Sequence, residues 1–180
     1  QIIADFAFSM NLYISSKTAT YLYAGIVSDS NRFNFSLSKE LFDIAGKLLN
    51  CNLDYQTLYN KMYSDKVSYV KMKAYFTEKF IVDECGFAYM INKEDVFERF
   101  NVDTFTISRG MVNVMANLEE VDIWANFTLD IASNKYLCEF RSKKIEIIEI
   151  AKKYGGGGHL LACGATVNDI ETVYKIIDDF

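Results

Sequence analysis

The chain has 180 residues, of which 51% are hydrophobic and 15% are aromatic, and its formal net charge is −5. This composition excludes a disordered chain, and the length suits one domain, or one and a half, with a buried core. The negative charge argues against sequence-independent binding of long nucleic acids, because that affinity comes from many Lys and Arg contacts to phosphate. A small anionic ligand remains compatible with this net charge.

No apolar run approaches 18 residues, and the N-terminus lacks the pattern of a signal peptide. We therefore expect a cytoplasmic protein without a membrane partner. The four cysteines lie tens of residues apart, without the spacing of a zinc site or a redox dithiol, and we expect them to be reduced thiols of the core. Because the first residue is Gln1 rather than Met, we expect the sequence to be part of a longer chain.

The first part of the chain, to about residue 63, is predicted to be helical, and a further helix follows as a connector. Apolar periodicity and residues that cap helix N-termini define these helices. They are Ala19 to Val27, a helix through Leu41 to Leu49 capped by Ser36 or Ser38, Tyr55 to Tyr63 capped by Asp54, and the connector Val67 to Lys79.

From about residue 80 the sequence pattern alternates between strands and helices, which predicts an α/β layer arrangement. The expected strands are Phe80 to Asp83 and Phe87 to Ile91, joined as a hairpin by Glu84-Cys85-Gly86, then Val121 to Leu129 and Tyr136 to Arg141, with a short segment at Ala165 to Val167. The expected helices are Lys93 to Phe100, Thr104 to Leu118, one from Ile145, and one from Asp169 or Glu171 to Ile177.

Four consecutive glycines followed by the only histidine of the chain are its most informative motif: Gly155, Gly156, Gly157, Gly158 and His159. Glycines expose consecutive backbone N–H groups and let a ligand approach the main chain, while a histidine supplies a donor, so the motif suits a phosphate. The alternative is structural, because a helix that ends near Tyr154 needs one glycine as its C-cap. A nucleoside triphosphate loop is disfavoured, since Lys and then Ser or Thr do not follow the last glycine.

Basic residues cluster beside this run. Between Lys135 and His159 there are six basic residues against three acidic ones, which can form a positive field or simply a solvated helix face. The basic residues are Lys135, Arg141, Lys143, Lys144, Lys152 and Lys153. The pair Arg141-Ser142 ends a predicted strand, and a guanidinium binds phosphate bidentately while a hydroxyl adds a donor. We expect Arg141, Ser142 and the glycine run to form one anion site, and Asp29 could converge on it.

On these motifs the sequence resembles the DHH family of phosphoesterases, in the branch of oligoribonucleases and 3′-phosphoadenosine 5′-phosphate (pAp) phosphatases. The C-terminal domain of that family has a strand ending in Arg-Ser and a Gly-Gly-Gly-His-x-x-Ala-Ala-Gly signature. Here Glu139-Phe140-Arg141-Ser142 and Gly155 to Gly164 are similar to them, with Cys163 in place of the second Ala. The segment Asp29-Ser30-Asn31-Arg32-Phe33 is similar to the family's Asp-Thr-Gly-x-Phe motif, whose aspartate binds metal.

The resemblance implies a division of the chain into three parts. Residues 1–63 would be the C-terminal part of a DHH catalytic domain, residues 64–79 a helical connector, and residues 80–180 a DHH-associated substrate-binding domain with a central mixed sheet flanked by helices. The Asp-x-Asp pair and the Asp-His-His motif of the family do not occur in the sequence. The family's two divalent ions, usually manganese, would therefore find one ligand candidate here, Asp29.

The resemblance also implies a function, with the missing domain performing the hydrolysis. This chain would hold a short RNA, pAp or a linear dinucleotide through Arg141, Ser142, Gly155 to Gly158 and His159, and would be inactive by itself. A homodimer is left open. The competing hypothesis is a non-catalytic nucleotide- or RNA-binding module, such as the DHH-associated domain of a tRNA synthetase, and a third is an α/β fragment in which the glycines are merely structural.

Overall fold

A computed structural model describes residues 1–180, and the chain divides into two compact units, Gln1–Asp65 and Lys66–Phe180. The first unit is entirely helical. Its helices are α1 (Ile2–Ser9), α2 (Ser16–Asp29), α3 (Lys39–Leu49) and α4 (Tyr55–Tyr63). None of the helices in either unit is both long and apolar enough to cross a membrane.

Local capping explains where the helices of the first unit begin. The Ser38 side chain accepts a hydrogen bond from the backbone of Leu41, and the Asp54 carboxylate accepts one from the backbone of Thr57. Each bond satisfies an N–H group that has no partner inside its helix. Apolar side chains three and four positions apart then pack together as the core of this unit, including Ile26, Ile44 and Leu48. The predicted helices of this region are thereby confirmed.

The second unit contains a six-stranded mixed sheet, which confirms the predicted α/β class. Its strands are β1 (Ile81–Val82), β2 (Phe87–Asn92), β3 (Ile123–Asp130), β4 (Lys135–Ser142), β5 (Gly157–His159) and β6 (Ala162–Val167). The spatial order is β1-β2-β3-β4-β6-β5, with β2 parallel to β3 and all other neighbours antiparallel. The helices are α5 (Val67–Lys79), α6 (Glu94–Phe100), α7 (Thr104–Ser108), α8 (Ile148–Lys153) and α9 (Ile170–Asp179), with a short 3-10 helix at Val112–Met115.

Helices lie on both faces of this sheet but cover them unequally. On one face, α8 and α9 pack on alternate residues of strands β2, β3, β4 and β6, which form a continuous apolar core. On the other face, α5, α6, α7 and the 3-10 helix pack on β2 and β3. Strands β4, β6 and β5 therefore keep part of that second face open. The predicted connector α5 belongs to this core through Met72 and Phe76, and the predicted three-part division of the chain stays a prediction.

Three predicted elements differ from the structure. The helix predicted at Thr104 to Leu118 is wrong as one element, because α7 ends at Ser108 and only the 3-10 helix follows Gly110. The helix predicted from Ile145 begins at Ile148, after a turn in which the Ser142 hydroxyl accepts bonds from the backbone N–H groups of Lys144 and Ile145. Part of the glycine run is not a loop, since Gly157–His159 form an edge strand.

Candidate functional site

An open cleft of about 690 Å³ lies over the uncovered part of the sheet in the second unit. Its floor consists of strands β4, β6 and β5, and α7 supplies one side of its rim. The glycine run and the only histidine line it together with residues of these strands and of α7. Its lining residues include Phe105, Arg109, Glu139, Arg141, Gly157 and His159.

Strand register aligns Arg141 and His159 in one row across three strands. Arg141 on β4 lies opposite Ala162 on β6, and Ala162 lies opposite His159 on β5. Residues directly opposite each other present their side chains to the same face of a sheet, so both polar side chains face the cleft. Ala162 between them has only a methyl group, which leaves space above it. The structure thus brings Arg141 and His159 together, as the sequence predicted.

Glu139 holds the guanidinium group of Arg141 in a fixed orientation. The Arg141 side chain donates to Glu139 Oε2 at 3.0 Å and to the backbone carbonyl of Phe140 at 2.8 Å. Glu139 Oε1 accepts a second bond at 3.0 Å from Nε of Arg109, which comes from α7. One carboxylate therefore binds two guanidinium groups, and the three side chains carry one net positive charge. That surplus favours an anion in the cleft.

The first two glycines of the run end helix α8 and do not offer free N–H groups. Gly155 has φ of 74°, and its N–H donates to the carbonyl of Lys152, while the N–H of Gly156 donates to Ala151. The expectation of four consecutive free N–H groups is wrong for this reason, and the predicted C-cap at Gly155 is confirmed. A Cβ on Gly156 would lie 2.0 Å from the carbonyl oxygen of Gly164, so this glycine also permits close backbone packing.

The last two glycines differ from each other. Gly158 has φ of 137°, and a Cβ there would lie 2.7 Å from Cα of Cys163, so this position requires glycine. Gly157 has open space where its Cβ would be and lies opposite Gly164 on the cleft face. Glycine at position 157 is therefore not required by packing. What its missing side chain provides is access from the cleft to the backbone of β5.

Ser142 does not join Arg141 in the cleft. Successive residues of a strand point to opposite faces, and Ser142 is buried on the side away from Arg141. Its hydroxyl accepts a bond from the N–H of Ile145 at 2.8 Å and one from the N–H of Lys144 at 3.3 Å. These contacts give Ser142 a structural role in the turn before α8. The predicted contact between this hydroxyl and a substrate stays a prediction.

Asp29 is the last residue of α2, in the first unit, and its exposed carboxylate makes no hydrogen bond or ion pair. The three residues Asn31, Arg32 and Phe33 that follow all have positive φ, between 45° and 60°. The Ser30 hydroxyl stabilises this turn, donating to Ile26 and accepting from the N–H of Phe33. No three His, Cys, Asp or Glu side chains of the chain lie together as a metal site would require. The role of Asp29 as a metal ligand stays a prediction.

The basic residues near the glycine run are mostly engaged elsewhere. Lys152 pairs with Glu149, Lys153 with Asp179, and Lys144 with Asp122. None of these three lysines lines the cleft, so they form solvated surface pairs of the kind that contribute little to stability or binding. The cations of the cleft are arginines.

Sequence reasoning missed Phe105, Arg109 and Glu139. Arg109 and Glu139 are 30 residues apart in the sequence and meet only because α7 packs beside β4. The signal that could have located Arg109 is Gly110, which follows it inside the predicted long helix and favours a helix end there. Glu139 precedes the predicted Arg141 by two residues, which is the spacing that places two side chains on one face of a strand.

Burial raises the pKa values of the two cysteines beside the cleft. The pKa of the Cys138 thiol rises to about 12, mainly through desolvation and also through the charge of Glu139. Desolvation likewise raises the pKa of Cys163, although the charge of Arg141 opposes this shift. Both thiols are thus protonated at neutral pH and belong to the core. The predicted core placement is wrong for Cys85, which is exposed, and Cys51 is half-buried.

Nearly the whole chain is similar in sequence to two bacterial proteins. Over 179 residues, or 97% of its length, the chain is 35% identical to the probable bifunctional oligoribonuclease and PAP phosphatase NrnA of Streptococcus mutans, of which it covers 57%. It is 30% identical over 167 residues, 92% of its length, to the bifunctional oligoribonuclease and PAP phosphatase NrnA of Bacillus subtilis, of which it covers 52%. The chain thus spans about half the length of the curated relatives it matches.

The fold and the C-terminal sequence also have known counterparts. The crystal structure of an exopolyphosphatase-related protein from Bacteroides fragilis superposes with a TM-score of 0.79 at 23% sequence identity, over 92% of this chain and 50% of that one, which shows a shared fold. Residues 96–180, which include the whole cleft, match the DHHA1 domain family. The DHHA1 match over these residues, together with the similarity to the NrnA relatives, confirms the resemblance to DHH phosphoesterases.

Proposed function

We propose that this chain is the substrate-binding half of a metal-dependent phosphoesterase that hydrolyses short oligoribonucleotides, pAp or both to mononucleotides. The observation that carries the proposal is the row of Arg141, Ala162 and His159, which turns two side chains of types that can bind phosphate toward one open cleft. The relatives named NrnA support the substrate class, since their names give oligoribonuclease and PAP phosphatase activity.

Arg141 and His159 suit a phosphate for complementary reasons. Arg141 is already oriented by Glu139 and by two backbone carbonyls, so little side-chain freedom is lost when an anion binds. The His159 side chain stands exposed on the edge strand β5 without a hydrogen-bond partner, so its ring is free to contact a ligand. Gly157 lets the ligand come close to the backbone between them. A cleft of about 690 Å³ suits a nucleotide or dinucleotide better than a long polymer.

The hydrolytic step itself is assigned to residues outside this chain. Two metal ions need several carboxylate or imidazole ligands, and Asp29 is the single candidate that the sequence offers. The residues present here therefore do not fit a complete metal site, and we derive no step through one. Manganese as the metal, activity only in the longer protein, and a homodimer remain predictions from the family resemblance.

A non-catalytic nucleotide-binding module is the second candidate. The cleft alone would serve such a module equally well. One observation favours the enzyme: the similarity to an NrnA relative covers 97% of the chain, and it therefore includes the helical first unit with Asp29. A binding module would need only the second unit.

The proposal is tested by titrating the chain with a 5′-phosphorylated dinucleotide and following the bound fraction by calorimetry or NMR. If Arg141 and His159 both bind one phosphate, each contributes about 1.5–3 kcal/mol, so Arg141→Ala or His159→Ala should weaken binding roughly ten- to a hundredfold. The melting temperature should change little in either variant. Lys152→Ala is a matched control, because Lys152 is also a basic residue near the glycine run but does not line the cleft.

Two results would contradict the proposal. A His159→Ala variant that melts earlier but binds the dinucleotide unchanged would give the histidine a structural role. Turnover of the dinucleotide by this chain alone with manganese, in a nuclease-free preparation, would place the catalytic residues inside it.

In the longer enzyme, Asp29→Asn should keep the fold and largely abolish hydrolysis, because a neutral amide is a poor metal ligand.

A further inference from the structure

Two residues of the cleft rim, Phe105 and Arg109, lie beside Arg141 and His159, which were proposed to bind one phosphate. Both belong to α7 or its C-terminal end, and both line the cleft. The Phe105 side chain is a large apolar group that remains 59% exposed, and the Arg109 side chain is 68% exposed. An exposed aromatic ring beside an exposed guanidinium is a combination that binds the flat rings and the phosphates of nucleotides.

The Arg109 side chain is held by one nitrogen only. Its Nε donates to Glu139 at 3.0 Å, and its guanidinium carbon lies 5.3 Å from the centre of the Phe105 ring. Both terminal nitrogens of this guanidinium make no hydrogen bond within the chain. They form the pair of donors that binds a phosphate bidentately. The Arg109 end of this ion pair lies open to the cleft, whereas the Glu139 side chain is only 16% exposed.

The backbone beneath Arg109 is fixed by a buried amide. The Asn126 side chain on β3 is fully buried and donates to the carbonyls of Ile107 and Ser108, at 2.8 and 2.7 Å. Its Oδ1 accepts a bond at 2.6 Å from the buried amide of Asn92. The carbonyls at the C-terminal end of a helix have no partner inside it, and this amide satisfies two of them. The sheet therefore fixes the end of α7 directly next to Arg109.

Asn126 also lies in the same row of the sheet as Glu139. It faces Glu139 across β3 and β4, and Glu139 faces Gly164 across β4 and β6. Asn126 fixes the backbone next to Arg109, and Glu139 orients the Arg109 side chain. These two residues are thus neighbours on one face of the sheet. Glu139 couples Arg109 to Arg141, because each guanidinium takes one oxygen of its carboxylate.

We propose that Phe105 and Arg109 form a second part of the binding site, in which the Phe105 ring stacks on the base of a nucleotide and the free donors of Arg109 bind a phosphate other than the one held by Arg141 and His159. This inference rests on the proposed function and deepens it. It favours ligands that carry a base and two phosphate groups, such as a nucleoside bisphosphate or a short 5′-phosphorylated oligonucleotide. Glu139 is the positioning residue for both arginines.

Three probes of increasing size test this proposal on the whole chain: ribose 5-phosphate, adenosine 5′-monophosphate and adenosine 3′,5′-bisphosphate. Adenosine 5′-monophosphate should bind at least about fivefold more tightly than ribose 5-phosphate. Adenosine 3′,5′-bisphosphate should bind about tenfold more tightly than adenosine 5′-monophosphate. Phe105→Leu should remove the gain from the base, and Arg109→Gln the gain from the second phosphate. Arg109→Lys, which keeps the charge but loses the paired donors, should recover only part of that gain.

Matched controls are Tyr174→Leu and Arg99→Gln. Tyr174 is a comparably exposed aromatic residue outside the cleft, and Arg99 also lies over an aromatic ring, that of Tyr75, away from it. Both control variants should bind all three probes like the unaltered chain. Gains from the base and the second phosphate that survive in Phe105→Leu and Arg109→Gln would overturn this inference and leave the proposed function intact. Absence of binding by the unaltered chain, for all three probes, would overturn both.

Discussion

The two faces of strand β4 serve different purposes. Tyr136, Cys138 and Phe140 point into the apolar core beneath α8 and α9, whereas the alternate residues Glu139 and Arg141 point into the open cleft. The same eight residues thus build the fold on one side and a charged site on the other. The pleat of the strand thus places neighbouring residues in this part of the sequence, including the pair Arg141-Ser142, on opposite faces of the sheet.

The largest expected effect lies on the core face. Phe140 is fully buried and contacts the rings of Phe127 and Phe180. Phe140→Ala should lower the free energy of unfolding by about 3–5 kcal/mol, because it removes a buried ring and leaves a cavity. Denaturant unfolding measures this loss. Leu137→Ala on the cleft face is the control, and a loss there as large as that for Phe140→Ala would remove the distinction between the faces.

Gly157 and Gly158 are neighbours in the glycine run, and we expect alanine to affect stability at one and binding at the other. Gly158→Ala should lower the free energy of unfolding by about 2–3 kcal/mol, since a methyl group there meets backbone atoms at a positive φ. Gly157→Ala should leave the stability within about 0.5 kcal/mol and weaken dinucleotide binding, because its methyl group enters the cleft.

Thermal unfolding and a binding titration of the two glycine variants check this prediction together. A Gly157→Ala variant that binds the dinucleotide normally would show that the ligand does not approach β5. Equal stability of the two variants would show that Gly158 is not required by the packing of β5 on β6.

The smallest expected effect concerns the surface contact that joins α9 to the start of the glycine run. Asp179 accepts hydrogen bonds from Lys153 and Tyr154, which lower its pKa below the ordinary value of 3.8. A carboxyl group with a lowered pKa in the folded state stabilises the fold above its unfolded-state pKa, and this stabilisation is lost as the pH falls through the folded-state pKa. Asp179→Asn should therefore cost about 0.5 kcal/mol at neutral pH.

Melting temperatures measured from neutral to acid pH check this effect. The difference between the unaltered chain and Asp179→Asn should be constant above about pH 5 and should shrink below about pH 4. Asp178→Asn is the control, because Asp178 is exposed beside Asp179 without sharing its hydrogen bonds. A difference that persists unchanged at acid pH would exclude the Asp179 contact as its source.

Local signals predicted much of the fold. The N-caps Ser38, Asp54 and Asp169 each bind a backbone N–H three residues later, and the cap at Gly155 depends only on its own helix. Such contacts lie within a few residues of sequence and can be recognised in it. The resemblance to the DHH family added the residues of the cleft floor, of which the structure brings Arg141 and His159 together.

Contacts between distant segments account for what was missed. The glycine run becomes a strand only because β6 pairs with it, and glycine itself disfavours strands. The end of α7 is held by Asn126, 18 residues later, which donates to the carbonyls of Ile107 and Ser108. Nothing local to either segment encodes these partners. Arg109 was missed for the same reason, since its partner Glu139 is brought to it by the sheet.

The pair Arg141 and Ser142 offers the most direct test of the central claim, that one face of β4 binds the ligand while the other maintains the fold. Arg141→Ala and Ser142→Ala should be compared by melting temperature and by titration with a 5′-phosphorylated dinucleotide. We predict that Arg141→Ala loses roughly ten- to a hundredfold in affinity with little change in melting temperature, whereas Ser142→Ala loses about 1–2 kcal/mol of stability and binds normally. A loss of affinity in Ser142→Ala equal to that in Arg141→Ala, at unchanged stability, would contradict the account.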